Sequence, residues 1–285
     1  MASAHPFFRI LLSLLLPWQF LGIAISYLPG ALKRLLQTEP LQNLSLAKIQ
    51  DAWFSAFWNH AGANIRVMNG PRITALLEGR VSQARVVDKP VVAPVSGVIL
   101  DIGPGPGFWV DLYVKANTGD LKVYGVEPNV DAHSDLRMRV HQAGLDGVYN
   151  IIPAGIETID KIEATGIDGK THKIEKGSVD CIVTLLCLCG IPKPEKNIAE
   201  LYQYLKKGGR WYVFEHVKHN GNWFMRLYQA IVNLFWPHVV GGCELCRDTE
   251  QSLRNAGSWD RIDLMQPPEE TWFMTVPHRF GTLTK

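Results

Sequence analysis

The chain has 285 residues, 47% apolar and 20% charged, a balance suited to one large globular domain with additions. A formal net charge of +2 argues against a broad nucleic-acid-binding face, and no nucleic-acid partner is expected. Five cysteines in a chain of this length argue against a small disulfide framework and for reduced thiols.

The first element is apolar. Ile10 to Leu32 carries no charge, Arg9 precedes it, and Lys33 and Arg34 follow. A helix of about 20 residues crosses a bilayer, so residues 1–36 are expected to anchor the protein in a membrane. The larger positive charge on the C-terminal side places the rest of the chain in the cytosol. Pro17 and Pro29 leave a hairpin or a shallow in-plane insertion open. A cleaved signal peptide and a buried core helix are the rival readings.

Residues 37–97 are expected to form a helical lid and a linker. Between Leu44 and Gly79, Trp53, Phe54, Phe57 and Trp58 recur at helical spacing. They predict a helix that either packs on the main domain or covers an apolar substrate; Trp53, Phe57 and Trp58 are the candidate pocket residues. The Pro- and Val-rich run Asp88 to Gly97 reads as the linker.

Strand and helix patterns then alternate over residues 98–285. Strands are expected at 97–102, 122–126, 150–153, 179–186 and 210–214, and helices near 108–116, 131–143 and 194–205. This predicts an α/β domain with a doubly wound, mostly parallel Rossmann-like sheet covered on both sides. Residues 158–176 are polar and read as a surface excursion. An apolar helix follows from Trp223 to Pro237, which is expected to end it.

The chemistry starts at V-I-L-D-I-G-P-G-P-G-F, Val98 to Phe108. A strand ends in Asp101, and Gly103, Gly105 and Gly107 let backbone approach a ligand. A dinucleotide fingerprint needs a glycine where Phe108 stands. The loop therefore suits S-adenosylmethionine, whose amino group an acid can hold. Glu127 closes the next strand, where a carboxylate can accept from ribose hydroxyls. Pro128 and Asn129 beside it, Ala154 and Gly155 after the third strand, and Leu186 after the fourth complete the cofactor candidates.

These features, with G-S-V-D before the fourth strand and L-K-K-G-G before the fifth, resemble class I S-adenosylmethionine-dependent methyltransferases over residues 98–217, and the resemblance implies a seven-stranded sheet. Lys207 stands where that family has proline. E-H-V at Glu215, G-C-E-L-C-R at Gly242 and the C-terminal W-F-M-T-V-P-H run resemble the membrane-anchored methyltransferase-like 7 proteins, which also have a cysteine at the position of Cys189. The resemblance implies a bilayer partner, an endoplasmic-reticulum or lipid-droplet location, and methylation of a small lipophilic thiol. The longer 158–176 excursion and the extra Cys246 depart from that pattern and leave the acceptor open. Transfer to oxygen or carbon of a phenol, quinone or secondary metabolite is the alternative.

Methyl transfer from a sulfonium is an in-line displacement that depends on alignment. A thiol, with a pKa near 8.5, needs little activation, whereas a phenol or alcohol would gain from a base. His216, with Glu215 beside it, is the candidate base at the fifth strand's end, although either could instead anchor the loop. Trp223 and Cys243 join the candidate pocket. No metal is expected: a four-sulfur site from Cys187, Cys189, Cys243 and Cys246 has structural-zinc spacing only in its second half. The rival functions are an NAD-dependent oxidoreductase, for which the dinucleotide fingerprint is incomplete, and a non-catalytic cofactor-binding scaffold on the membrane. Oligomeric state is not legible.

Overall fold

The structure is a computed structural model that describes residues 6–116, 119–159, 164–165, 171–172 and 174–285. Most of the excursion expected at 158–176 lies outside the described residues; within it, Ala164–Thr165 pairs with Thr171–His172.

Seven strands form the main sheet. β1 is Val98–Ile102, β2 Lys122–Val126, β3 Tyr149–Ile152, β4 Val179–Leu185, β5 Leu205–His216, β6 Arg261–Met265 and β7 His278–Thr284. Their spatial order is 3-2-1-4-5-7-6. β1 to β5 are mutually parallel, and β7 is antiparallel to both β5 and β6. The expected doubly wound, mostly parallel sheet is therefore what forms. Its strands are apolar because helices cover both faces. Along β1 the side chains alternate: Ile99 packs with Leu136 and Tyr212 on one face, and Leu100 packs with Ile198 and Trp211 on the other.

β5 begins five residues earlier than its sequence pattern suggests. Leu205 pairs with Val179 and Arg210 with Cys181, so the K-K-G-G stretch is a bulge inside the strand. Gly208 has φ +78, a left-handed conformation that glycine adopts without strain.

The helices are α1 Pro6–Ser26, α2 Leu28–Thr38, α3 Leu46–Leu77, α4 His133–Gln142, α5 Pro194–Tyr204, α6 Trp223–Asn233, α7 Trp236–Val239 and α8 Thr249–Arg254. Ser45 caps α3 by accepting from the Lys48 amide at 3.2 Å. Pro237 does not end an apolar helix, as its position suggested. α6 has already stopped at Asn233, and Pro237 opens the short α7, where its missing N–H is no loss.

α1 and α2 run from Phe7 to Thr38 with a break only at Tyr27, long and apolar enough to cross a membrane. Yet α1 lies against the domain. Pro17, Leu21, Ala24, Ala31 and Leu35 are buried at three-, four- and seven-residue spacing, one stripe of a helix. Phe20 stacks on Trp236 at 5.2 Å and meets Phe57 edge-on at 5.0 Å. The Trp53 indole donates to the Ala24 carbonyl at 2.6 Å, and the Ser13 hydroxyl to the Phe273 carbonyl at 3.1 Å.

Candidate functional site

The carboxyl ends of β1 to β5 lie on one edge of the sheet, where open α/β sheets hold their ligands. A cavity of about 580 Å³ opens there. That volume lies in the range of small-molecule and cofactor sites.

The loop after β1 forms one wall. Gly103, Gly105 and Gly107 all have positive φ, at +62, +56 and +85. A Cβ on Gly103 would stand 2.6 Å from that of Cys187, so the loop and the end of β4 touch through that glycine. Phe108 lines the cavity. Its ring lies beneath the Arg139 guanidinium, 4.4 Å away, and against Gly62 of α3, where a Cβ would come within 2.4 Å. The aromatic ring in the place of a fingerprint glycine therefore seats α3 over the loop. The stretch that follows, Val110–Ala116, is a 3-10 helix rather than the expected α-helix. Aromatic and β-branched residues are indifferent helix formers. The loop consequently lacks the helix N-terminus on which dinucleotide sites rest a pyrophosphate. S-adenosylmethionine has no phosphate, so this departure suits it.

Glu127 lies at the end of β2, buried but facing the cavity. One carboxylate oxygen accepts the Gly105 amide and the other the Asn129 amide, both at 2.8 Å. Burial raises its pKa to about 7 against the pull of those two amides. Asp101 is buried outside the cavity lining and accepts a hydrogen bond from the Tyr149 hydroxyl at 2.7 Å. Burial raises its pKa to about 6, and the Tyr149 bond opposes the rise. Tyr149 reaches Asp101 across Gly125, where a Cβ would sit 2.4 Å from its ring.

Gly103, Gly105, Glu127, Pro128, Asn129, Gly155 and Leu186 line the cavity, while Asp101, Gly107 and Ala154 stand behind it. Leu186 holds φ +60, an uncommon conformation for a branched residue, beside the loop glycines.

The rest of the lining is largely apolar. It includes Pro17 and Phe20 of α1, Phe54 and Trp58 of α3, Trp236 and Val240 around α7, and Val276 before β7. Trp58 stacks on Phe54 at 5.4 Å. Trp53 and Phe57 instead dock α1, and Trp223 is exposed on α6 away from the cavity. His216 and Cys243 border the cavity; Glu215 does not. The fully buried Glu215 carboxylate accepts the Cys187 and Leu188 amides at 3.1 and 3.2 Å, which fixes the loop after β4. Burial raises its pKa to about 7. His216 Nε2 lies 3.1 Å from Cys243 Sγ. All five cysteines are free thiols.

Sequence reasoning missed Tyr149 and the α1 residues at this site, and it did not connect Cys189 with His216. The spacing of Pro17, Leu21 and Ala24 was the available signal for the α1 residues; the others are set by tertiary contacts.

A doubly wound sheet with an acid–glycine loop and a second acid at its carboxyl edge defines an α/β nucleoside-cofactor transferase. The chain belongs to the methyltransferase domain family, whose profile matches residues 82–257. The cavity's open-backbone glycines, its carboxylate at β2 and its size fit S-adenosylmethionine, the family's cofactor. Over 116 residues the chain is 33% identical to the human thiol S-methyltransferase TMT1B and 30% identical to human TMT1A. Each match covers 40% of this chain and 47% of the relative, so it spans about half of each relative's length. The fold is similar to that of an O-methyltransferase family protein from Burkholderia thailandensis, with TM-score 0.51 and 13% identity over 84% of this chain and 60% of that one. A solved protein from Nostoc punctiforme gives the same TM-score and identity over 96% of this chain and 71% of its own.

Proposed function

We propose that the protein transfers a methyl group from S-adenosylmethionine to the sulfur of a small lipophilic thiol at a membrane surface. The observation that carries this is the cavity's mixed lining: cofactor-type backbone and Glu127 share it with apolar side chains supplied partly by the membrane-type helix α1. The names of the TMT1 relatives favour sulfur as the acceptor. S-adenosylmethionine supplies an electrophilic methyl on a sulfonium; the protein's part is alignment and exclusion of water. Glu127 and the glycine loop would hold the nucleoside, and Trp58, Phe20 and Trp236 would enclose the acceptor.

The exposed side of α1, with Phe7, Phe8, Leu11, Leu12 and Leu15, would lie in the lipid headgroup region. Exposed Trp223, Phe224, Leu227 and Ile231 of α6 extend that surface. Trp18 joins the two helices, donating to the Tyr228 hydroxyl at 2.9 Å. The acceptor would then enter from the bilayer.

Membranes carrying the protein, given labelled S-adenosylmethionine and a panel of thiols, phenols and quinones, should yield labelled thioethers. Label on oxygen or ring carbon alone would overturn the sulfur reading. It would support the second reading, in which His216 on the cavity wall acts as base toward a hydroxyl.

A further inference from the structure

Three ligand-type side chains meet at the cavity from three separate parts of the chain. Cys189 comes from the loop after β4, His216 ends β5, and Cys243 follows α7. Their sulfur and ring-nitrogen atoms all lie within 4.8 Å of one another. All three residues are buried, and all three border the cavity.

One member of the cluster is left unsatisfied. His216 Nε2 faces the Cys243 sulfur and the Cys189 thiol donates to the Leu186 carbonyl at 3.8 Å, but the buried His216 Nδ1 has no hydrogen-bond partner among the described residues. Thiols are weak donors and weak acceptors. The frame around them, by contrast, is firm. The Glu244 amide donates to the Cys189 carbonyl at 3.0 Å and joins the two cysteine segments. The Arg247 guanidinium holds the Leu188 carbonyl at 3.2 Å and also bonds the Ile191 carbonyl. The Trp236 indole donates to the Cys243 sulfur at 3.2 Å, an outer contact of the kind that stabilises a ligating thiolate.

Two sulfurs and an imidazole select zinc among the common divalent ions. Zinc bonds of about 2.3 Å to sulfur and about 2.0 Å to nitrogen place tetrahedral ligands roughly 3.5–3.8 Å apart. Small side-chain adjustments bring this cluster to that spacing. Cys187 and Cys246 take no part: the cluster unites one member of each cysteine pair with a histidine that the spacing alone did not connect to them.

We infer that Cys189, His216 and Cys243 bind a zinc ion whose fourth coordination position faces the cavity. The role of that open position rests on the thiol reading above. An acceptor thiol would give its proton to water and bind there as the thiolate. Its sulfur lone pair would form the new bond to methyl while the sulfonium–methyl bond breaks. That bonding pair stays on the donor sulfur, and a neutral thioether, a weaker ligand, departs.

The test uses the full chain, purified under reducing conditions without chelators. Mass spectrometry of the metal should find about one zinc per chain. Cobalt replacing it should give thiolate-to-metal charge-transfer bands, and X-ray absorption should show two sulfurs and one nitrogen. Cys189→Ser and Cys243→Ser should each lose those bands, and Trp236→Phe should weaken cobalt binding about 10-fold or more. A folded chain that binds S-adenosylmethionine yet takes up neither zinc nor cobalt would overturn the inference, as would uptake undiminished in both serine variants. Undiminished thiol methylation by zinc-stripped protein would overturn the catalytic role and leave the thiol reading intact. Bound zinc with only phenols methylated would retain the metal site and remove the thiol reading.

Discussion

Asp101 takes its proton well above the usual carboxylate range because burial outweighs the pull of the Tyr149 and Tyr113 hydroxyls. An acid whose pKa rises on folding, here from about 3.9 to about 6, contributes stability below the unfolded value and loses it as pH rises through the folded one. Asp101→Asn should therefore flatten the pH dependence of urea unfolding between about pH 4 and pH 6. Tyr149→Phe removes the donor bonded to the carboxyl at 2.7 Å and should destabilise by about 1–3 kcal/mol at pH 8, less at pH 4. Glu127 behaves differently because it faces the cavity. Its ionised form is the one suited to accept ribose hydroxyls, so cofactor affinity should rise with pH through about 7, with release of a proton. Calorimetry in buffers of different ionisation enthalpy reads that release; Glu127→Gln should bind weakly and lose the pH dependence. Both acids were legible in the sequence, since each ends an apolar run before a turn. Tyr149 was not, because it acts across a neighbouring strand; Cys189 was visible as a residue, but its meeting with His216 and Cys243, 27 and 54 positions along, exists only in the folded chain.

At the scale of elements, α3 does more than its aromatic pattern suggested. Trp53 and Phe57 hold α1, and Trp58 faces the cavity. The sequence showed four aromatics on one helix but not that the helix divides them between two neighbours. Gly62 makes the fit to the cofactor loop possible. Gly62→Val should push Phe108 aside, at about 1–3 kcal/mol of stability, and weaken S-adenosylmethionine binding; thermal unfolding and calorimetry read the two effects. The strands of the parallel sheet were legible because their apolar runs are bounded by turns. β6 and β7 were not: Arg261–Met265 and His278–Thr284 mix charged and polar residues with apolar ones, and irregular chain precedes each. The α-helix expected after the glycines did not form, and periodicity gave no warning because 3-10 and α-helical apolar spacing are hard to separate over seven residues.

For the whole molecule, the apolar N-terminal segment was legible as a helix long and apolar enough to cross a membrane, but its docking on the domain was not. The proposed in-plane attachment predicts that charge on the outer side of α1 weakens attachment only. Leu11→Lys with Leu15→Lys should reduce flotation with liposomes while leaving S-adenosylmethionine affinity unchanged, because neither side chain lines the cavity. Equal loss of both would place that side of the helix against the domain instead. The contact from Ser13 to Phe273 joins segments 260 residues apart. During translation α1 therefore emerges long before its docking surface exists. At 5–20 residues per second it waits roughly 10–50 s, with its apolar side exposed to whatever is nearby. A membrane, or a chaperone that delivers the chain to one, is the natural shelter for that interval. The cavity closes only after α7 and the segment before β7 have been made, so a ribosome-bound fragment would have no enclosed site.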